Sequence, residues 1–132
     1  MAIMGWWSAV LLLVVVTAVP LRIAQAPAPD VVARNLAENV LGQGTVQRIQ
    51  VSSGGALVDI AWEAALYRPT HTVQKNREQL QGEAEIATGS IMGVMRPEMI
   101  TFAILLKGRT LAAGWRTRGE EFAITFAPDL GG

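Results

Sequence analysis

The chain has 132 residues, with eleven Lys or Arg balancing eleven Asp or Glu, one histidine and no cysteine. The missing thiols exclude disulfides, thiolate catalysis, thiolate zinc sites and iron–sulfur clusters. A neutral, well-mixed charge pattern gives no electrostatic footprint for nucleic acid and no polybasic patch for anionic lipid, so no nucleic-acid partner is expected.

Hydrophobicity is concentrated at the N-terminus. From Ala2 to Val19 the chain reads AIMGWWSAVLLLVVVTAV, uncharged and interrupted only by Ser8 and Thr17. Roughly eighteen residues of helix rise about 27 Å, enough to cross a hydrocarbon core. Trp6 and Trp7 lie near one end, where amphipathic rings prefer the interface, and Pro20 and Arg22 mark the other. Leu11, Leu12, Leu13, Val14, Val15 and Val16 form the apolar centre. Residues 1–22 are therefore expected to be an uncleaved transmembrane signal-anchor, touching the lipid bilayer through residues 2–21. The competing reading is a cleaved signal peptide. Ala24-Gln25-Ala26 offers a small-x-small site for it, but no Lys or Arg precedes the apolar run, and cleavage there would leave Pro27 first.

Residues 23–29 read as an Ala/Pro linker, in which proline stiffens the tether into an extended rod. Arg22, the nearest basic residue, argues for a cytoplasmic domain by the positive-inside rule. The exported character of an Ala/Pro spacer argues the other way. A single arginine carries less weight than the spacer, and the expected location is a single-pass membrane protein with its soluble domain on the extracytoplasmic side.

Residues 30–132 read as one membrane-surface α+β domain. Asp30 suits an N-cap, with Val31, Val32, Leu36, Val40 and Leu41 at helical spacing and Gly42 and Gly44 as the stop. Val46–Val51 alternates, with Ile49 and Val51 on one face and Arg48 and Gln50 on the other. Ser52-Ser53-Gly54-Gly55 is turn chemistry, and Leu57–Glu63 alternates again, with Val58, Ile60 and Trp62 on one side. Thr72 can cap a long helix reaching about Met95, whose stripe comprises Val73, Leu80, Ala84, Ala87, Ile91 and Val94. Gly82, Gly89 and Gly93 share roughly the opposite face. Each costs up to about 1 kcal/mol relative to alanine, so that face is a candidate partner contact as well as a tolerated solvated one. Pro97 ends the helix. Met99–Leu106 is apolar on both faces and reads as a central strand covered above and below. Thr110–Arg116, with Leu111, Ala113 and Trp115 on one face, and Phe122–Phe126 complete the set. The order α-β-β-α-β-β-β predicts about five mostly antiparallel strands with both helices on one face.

No constellation for chemistry stands out, and no cofactor is expected. His71 is alone in a polar loop without metal-ligand spacing, and reads as exposed. Asp59 and Glu63 share the wet face of a strand. Glu83 and Glu85, like Glu120 and Glu121, read as ordinary solvated charges, and Trp62 and Trp115 as core-facing. Gly42-Gln43-Gly44 precedes a strand, not a helix, so it is no dinucleotide loop. By elimination, the expectation is a non-catalytic accessory subunit that stabilises a larger membrane protein complex, with other membrane subunits as partners. Respiratory and photosynthetic assemblies supply the class analogy. The alternative is a membrane-tethered binding module for a small ligand, peptide or envelope component. Convergence of Asp59, Glu63, Arg68 and His71 would favour an enzyme, and a flat apolar patch would favour a subunit.

The anchor and signal-peptide readings separate on one preparation. An anchored chain stays in the membrane pellet through an alkaline carbonate wash at its full mass; a cleaved one is released, shorter, with its N-terminus near Pro27.

Overall fold

The computed structural model describes residues 26–130. The first helix among these residues, α1, spans Pro29–Leu41 and starts two residues earlier than Asp30 as N-cap implies. Proline suits the first helical position, where its missing N–H would have no partner in any case, and Ala28 stands in the cap position in extended conformation. Asp30 is instead used across the fold, its Oδ1 accepting the backbone N–H of Val51 at 3.2 Å.

Strands β1 (Val46–Ser52) and β2 (Leu57–Glu63) form a hairpin through a short 3-10 turn, Ser53–Gly55. Helix α2, Val73–Met95, begins at Thr72, whose side chain accepts the N–H of Lys75 as expected for a cap. It ends where Arg96 turns left-handed before Pro97. Strands β3 (Met99–Leu106), β4 (Arg109–Thr117) and β5 (Phe122–Phe126) follow. All five strands join one sheet in sequence order, β1-β2-β3-β4-β5. The β2–β3 pair is parallel and the other three pairs are antiparallel. A parallel neighbour requires a crossover, and α2 supplies it. The fold is thus α+β, with a mixed five-stranded sheet and two helices.

The core lies between the helices and one sheet face. Val58, Ile60 and Trp62 of β2 and Ile100, Phe102 and Ile104 of β3 meet Leu80, Ala84, Ala87 and Ile91 of α2, as their spacing predicts. Each such large side chain, fully buried, contributes on the order of 1.5–3 kcal/mol. Four expected core positions lie elsewhere: Val73 and Val94 of α2 are exposed, the latter at 64%, and α1 buries Ala33 and Ala37 while Val31 and Val40 face outward. Small residues let α1 approach α2 closely enough for Ser90 Oγ to donate to the carbonyl of Leu36 at 3.0 Å. Trp62 stacks on Phe102, and Phe102 on Phe122, each at 5.8 Å between centroids. Gly114 makes the second contact possible. A Cβ there would stand 1.9 Å from the carbonyl oxygen of Ala123 and 2.9 Å from the Phe102 ring.

Two sequence expectations about the strands fail for identifiable reasons. Strand β3 is covered on one face only, because both helices pack on the same side. Trp115 is 45% exposed instead of core-facing. Ile104 pairs with Ala112 and Leu105 with Thr110, leaving Leu111 as an extra residue in β4. That bulge buries Leu111 and Ala112 together and inverts every later position of the strand.

Glu83, expected as a solvated charge, is 1% exposed. Its Oε1 accepts the indole N–H of Trp62 at 3.1 Å and the N–H of Ala65 at 3.2 Å, and its Oε2 the N–H of Leu66 at 3.0 Å. Asn76, also fully buried, takes both backbone groups of Arg68 and donates to the carbonyl of Leu130, holding the β2–α2 connection and the end of the chain together. Glu83→Ala orphans three donors at about 1 kcal/mol or more each, so the urea unfolding midpoint should fall by the equivalent of about 3 kcal/mol with the slope unchanged. Glu85→Ala, on the exposed side, should stay within about 0.5 kcal/mol of the parent. Equal effects from the two variants would refute the structural role assigned to Glu83.

Candidate functional site

Residues paired in register carry their side chains on one face of a sheet. The pairings therefore set out the uncovered face row by row. Gln50, Asp59, Thr101, Trp115 and Ala123 form one row, and Arg48, Ala61, Ala103, Ala113 and Thr125 the next. Leu57 and Met99 lie beyond the first row, toward the β1–β2 turn. Beside the exposed Trp115, Ala103 and Ala113 are half-buried, while Ala61 is fully buried. A hollow of about 240 Å³ lies at the other end of the Trp115 row, bordered by Gln50, Leu57, Asp59, Met99 and Thr101.

One polar network interrupts this surface. Asp59 Oδ2 pairs with Arg48 Nε at 2.8 Å, and Asp59 Oδ1 accepts the hydroxyl of Thr101 at 2.8 Å. Partial burial pushes the Asp59 carboxyl up, but the hydrogen bonds from Arg48 and Thr101 and the charge of Arg48 outweigh it, leaving the group below its ordinary value of 3.8.

A second concavity lies on the helix side, between the flank of α2 and the β4–β5 turn. It measures about 340 Å³ and is lined by Glu85, Ile86, Gly89, Arg116, Glu120 and Phe122. The β4 bulge puts Arg116 on the helix side of the sheet, directly opposite Phe122 in the ladder. Arg116 Nη1 donates to the carbonyl of Glu85 at 3.2 Å and to Thr88 Oγ1 at 3.3 Å. Thr88 is buried, and its own proton goes to the carbonyl of Ala84 at 2.7 Å.

The residues singled out by sequence are distributed unevenly. The proposed anchor residues Trp6, Trp7, Leu11, Leu12, Leu13, Val14, Val15 and Val16 lie outside the described residues. Of the α2 glycines, Gly89 faces the Arg116 guanidinium, with a Cβ position 3.3 Å from Nη1, whereas Gly82 and Gly93 face open space. Asp59, Glu63, Arg68 and His71 share no side-chain hydrogen bond. Glu63 instead accepts the N–H of Lys107, and the Arg68 guanidinium donates to the carbonyls of Ala65 and Tyr67. His71 is half-buried, not exposed, and its Nδ1 is buried without a partner among the described residues. No group of three or more potential metal ligands occurs among the described residues, and no helix there is long and apolar enough to cross a membrane. The cleft at Arg116 was missed because plain alternation sends Arg116 to the solvent face. The glycine inside the β4 pattern, Gly114, was the available hint that the strand was irregular.

Comparison with protein-family models, curated proteins and solved structures finds no match to this chain.

The Asp59 network predicts a small acid dependence. Its carboxyl is depressed in the fold, so its contribution is fully present above the ordinary value and lost as pH falls through the lower folded one. Both partners of the ion pair are more than one-third exposed, which limits the effect to under about 1 kcal/mol. Asp59→Asn should flatten the decline of stability between about pH 5 and pH 2 by that amount and leave stability near neutrality within about 1 kcal/mol of the parent. An unchanged acid limb in urea titrations would refute it.

Proposed function

We propose that this chain is a non-catalytic, membrane-anchored accessory subunit whose α+β domain braces other membrane protein subunits through its uncovered sheet face. The observation that carries the reading is Trp115, exposed on the uncovered face beside the half-buried Ala103 and Ala113. Tryptophan anchors contribute disproportionately to protein interfaces, and small residues beside one let a partner's backbone approach. A sheet with both helices on one side leaves such a face available.

The proposed tether adds an orientation. With Pro29 inside α1, residues 23–28 reach only about 19 Å even when extended at roughly 3.1 Å per residue. The N-terminus of α1 abuts the end of β1 through the Asp30–Val51 bond. That end of the sheet would then face the bilayer, and the open face would look sideways toward a neighbour in the membrane.

A second reading, a membrane-tethered binding module on the extracytoplasmic side, draws on the cleft beside Arg116, where a guanidinium and apolar walls converge. The subunit reading is tested by extracting native membranes in mild detergent and separating the extract by size. The chain should migrate in a stoichiometric assembly, and Trp115→Glu should release it while thermal unfolding of the domain is unchanged. Migration of the parent chain alone at its own mass would end the proposal.

A further inference from the structure

Resting on the binding-module reading, we propose that the cleft between α2 and the β4–β5 turn takes a small zwitterion of the amino-acid type with an apolar side chain. Arg116 is half-buried, yet it has no carboxylate partner: the ion pairs among the described residues are Arg48–Asp59 and Arg109–Asp129. Only its Nη1 is engaged, and that nitrogen is held by two acceptors on α2. Because the Thr88 hydroxyl spends its proton on Ala84, it presents a lone pair to Arg116 and fixes the guanidinium in place. Nε and Nη2 have no acceptor among the described residues. A planar donor fork in this state is suited to a carboxylate.

The rest of the lining narrows the class. Glu85 and Glu120 border the same cleft without pairing to Arg116, so the lining carries one positive and two negative charges. A phosphate or dicarboxylate would meet net repulsion there, whereas a ligand bringing its own ammonium would be complemented at both ends. Ile86, 49% exposed, and Phe122, stacked on Phe102, supply apolar walls. Gly89 keeps the cleft open beside Arg116, which gives a local reason for a mid-helix glycine. The volume of about 340 Å³ lies at the small end of ligand-site sizes.

The test uses the full chain in detergent micelles, titrated calorimetrically with leucine, N-acetyl-leucine and leucine amide. Leucine should bind saturably with Kd at or below about 1 mM, and the two singly charged analogues about tenfold or more weakly. Glu120→Gln, in an exposed turn, should weaken leucine without altering thermal unfolding. Gly89→Ala should abolish or weaken binding, because a Cβ 3.3 Å from Arg116 Nη1 crowds the guanidinium out of its place. Equal binding of N-acetyl-leucine and leucine would overturn the zwitterion assignment and leave an anion-binding module standing. Binding by none of the three, or leucine binding indifferent to Gly89→Ala and Glu120→Gln, would overturn the site itself.

Discussion

A buried carboxylate is tolerated in a small core only when hydrogen-bond donors replace the water it has lost. Glu83 meets that condition with three N–H groups drawn from two places, the indole of Trp62 on β2 and the backbone of Ala65 and Leu66 just beyond it. The same side chain therefore ties α2 to the sheet and to the loop that leads into it. The position of α2 decides much else, since it is the crossover that lets β3 run parallel to β2. Trp62 in turn begins the aromatic stack that continues through Phe102 to Phe122. Asn76 repeats the device about two turns nearer the start of the helix, holding Arg68 and Leu130.

With both helices committed to one face, the fold divides into a covered and an uncovered side. On the uncovered side three alanines, Ala61, Ala103 and Ala113, stand side by side across neighbouring strands. The Arg48–Asp59–Thr101 network breaks the apolar character near its centre, and Gln50 and Thr125 flank it. The covered side has an edge of its own, where the sheet runs out beneath the flank of α2 and Arg116 bridges the gap. The two surfaces thus differ in kind. One is an open sheet face; the other is a narrow cleft with charged walls.

Much of the architecture was legible from pattern. Alternation in β1, β2 and β5, the Thr72 cap and the Pro97 stop place their elements within a residue or two, because each signal is local and acts on its own backbone. The candidate site was far less legible. Arg116 and Glu85 are thirty-one residues apart in the chain, and nothing in either neighbourhood announces the other. Glu83 lies beside Glu85 with the same chemistry and an opposite fate, since only one of the two points toward Trp62.

By itself, the sequence determined the order and type of the elements, the absence of thiol chemistry, and an N-terminal run long and apolar enough to cross a bilayer. Tertiary structure alone decided which face each functional side chain occupies. One unpaired residue, Leu111, reverses the pleat of β4, turning Trp115 outward and Arg116 toward α2. A period of two residues makes side-chain direction depend on register, and register is set by the partner strand rather than by the strand's own sequence.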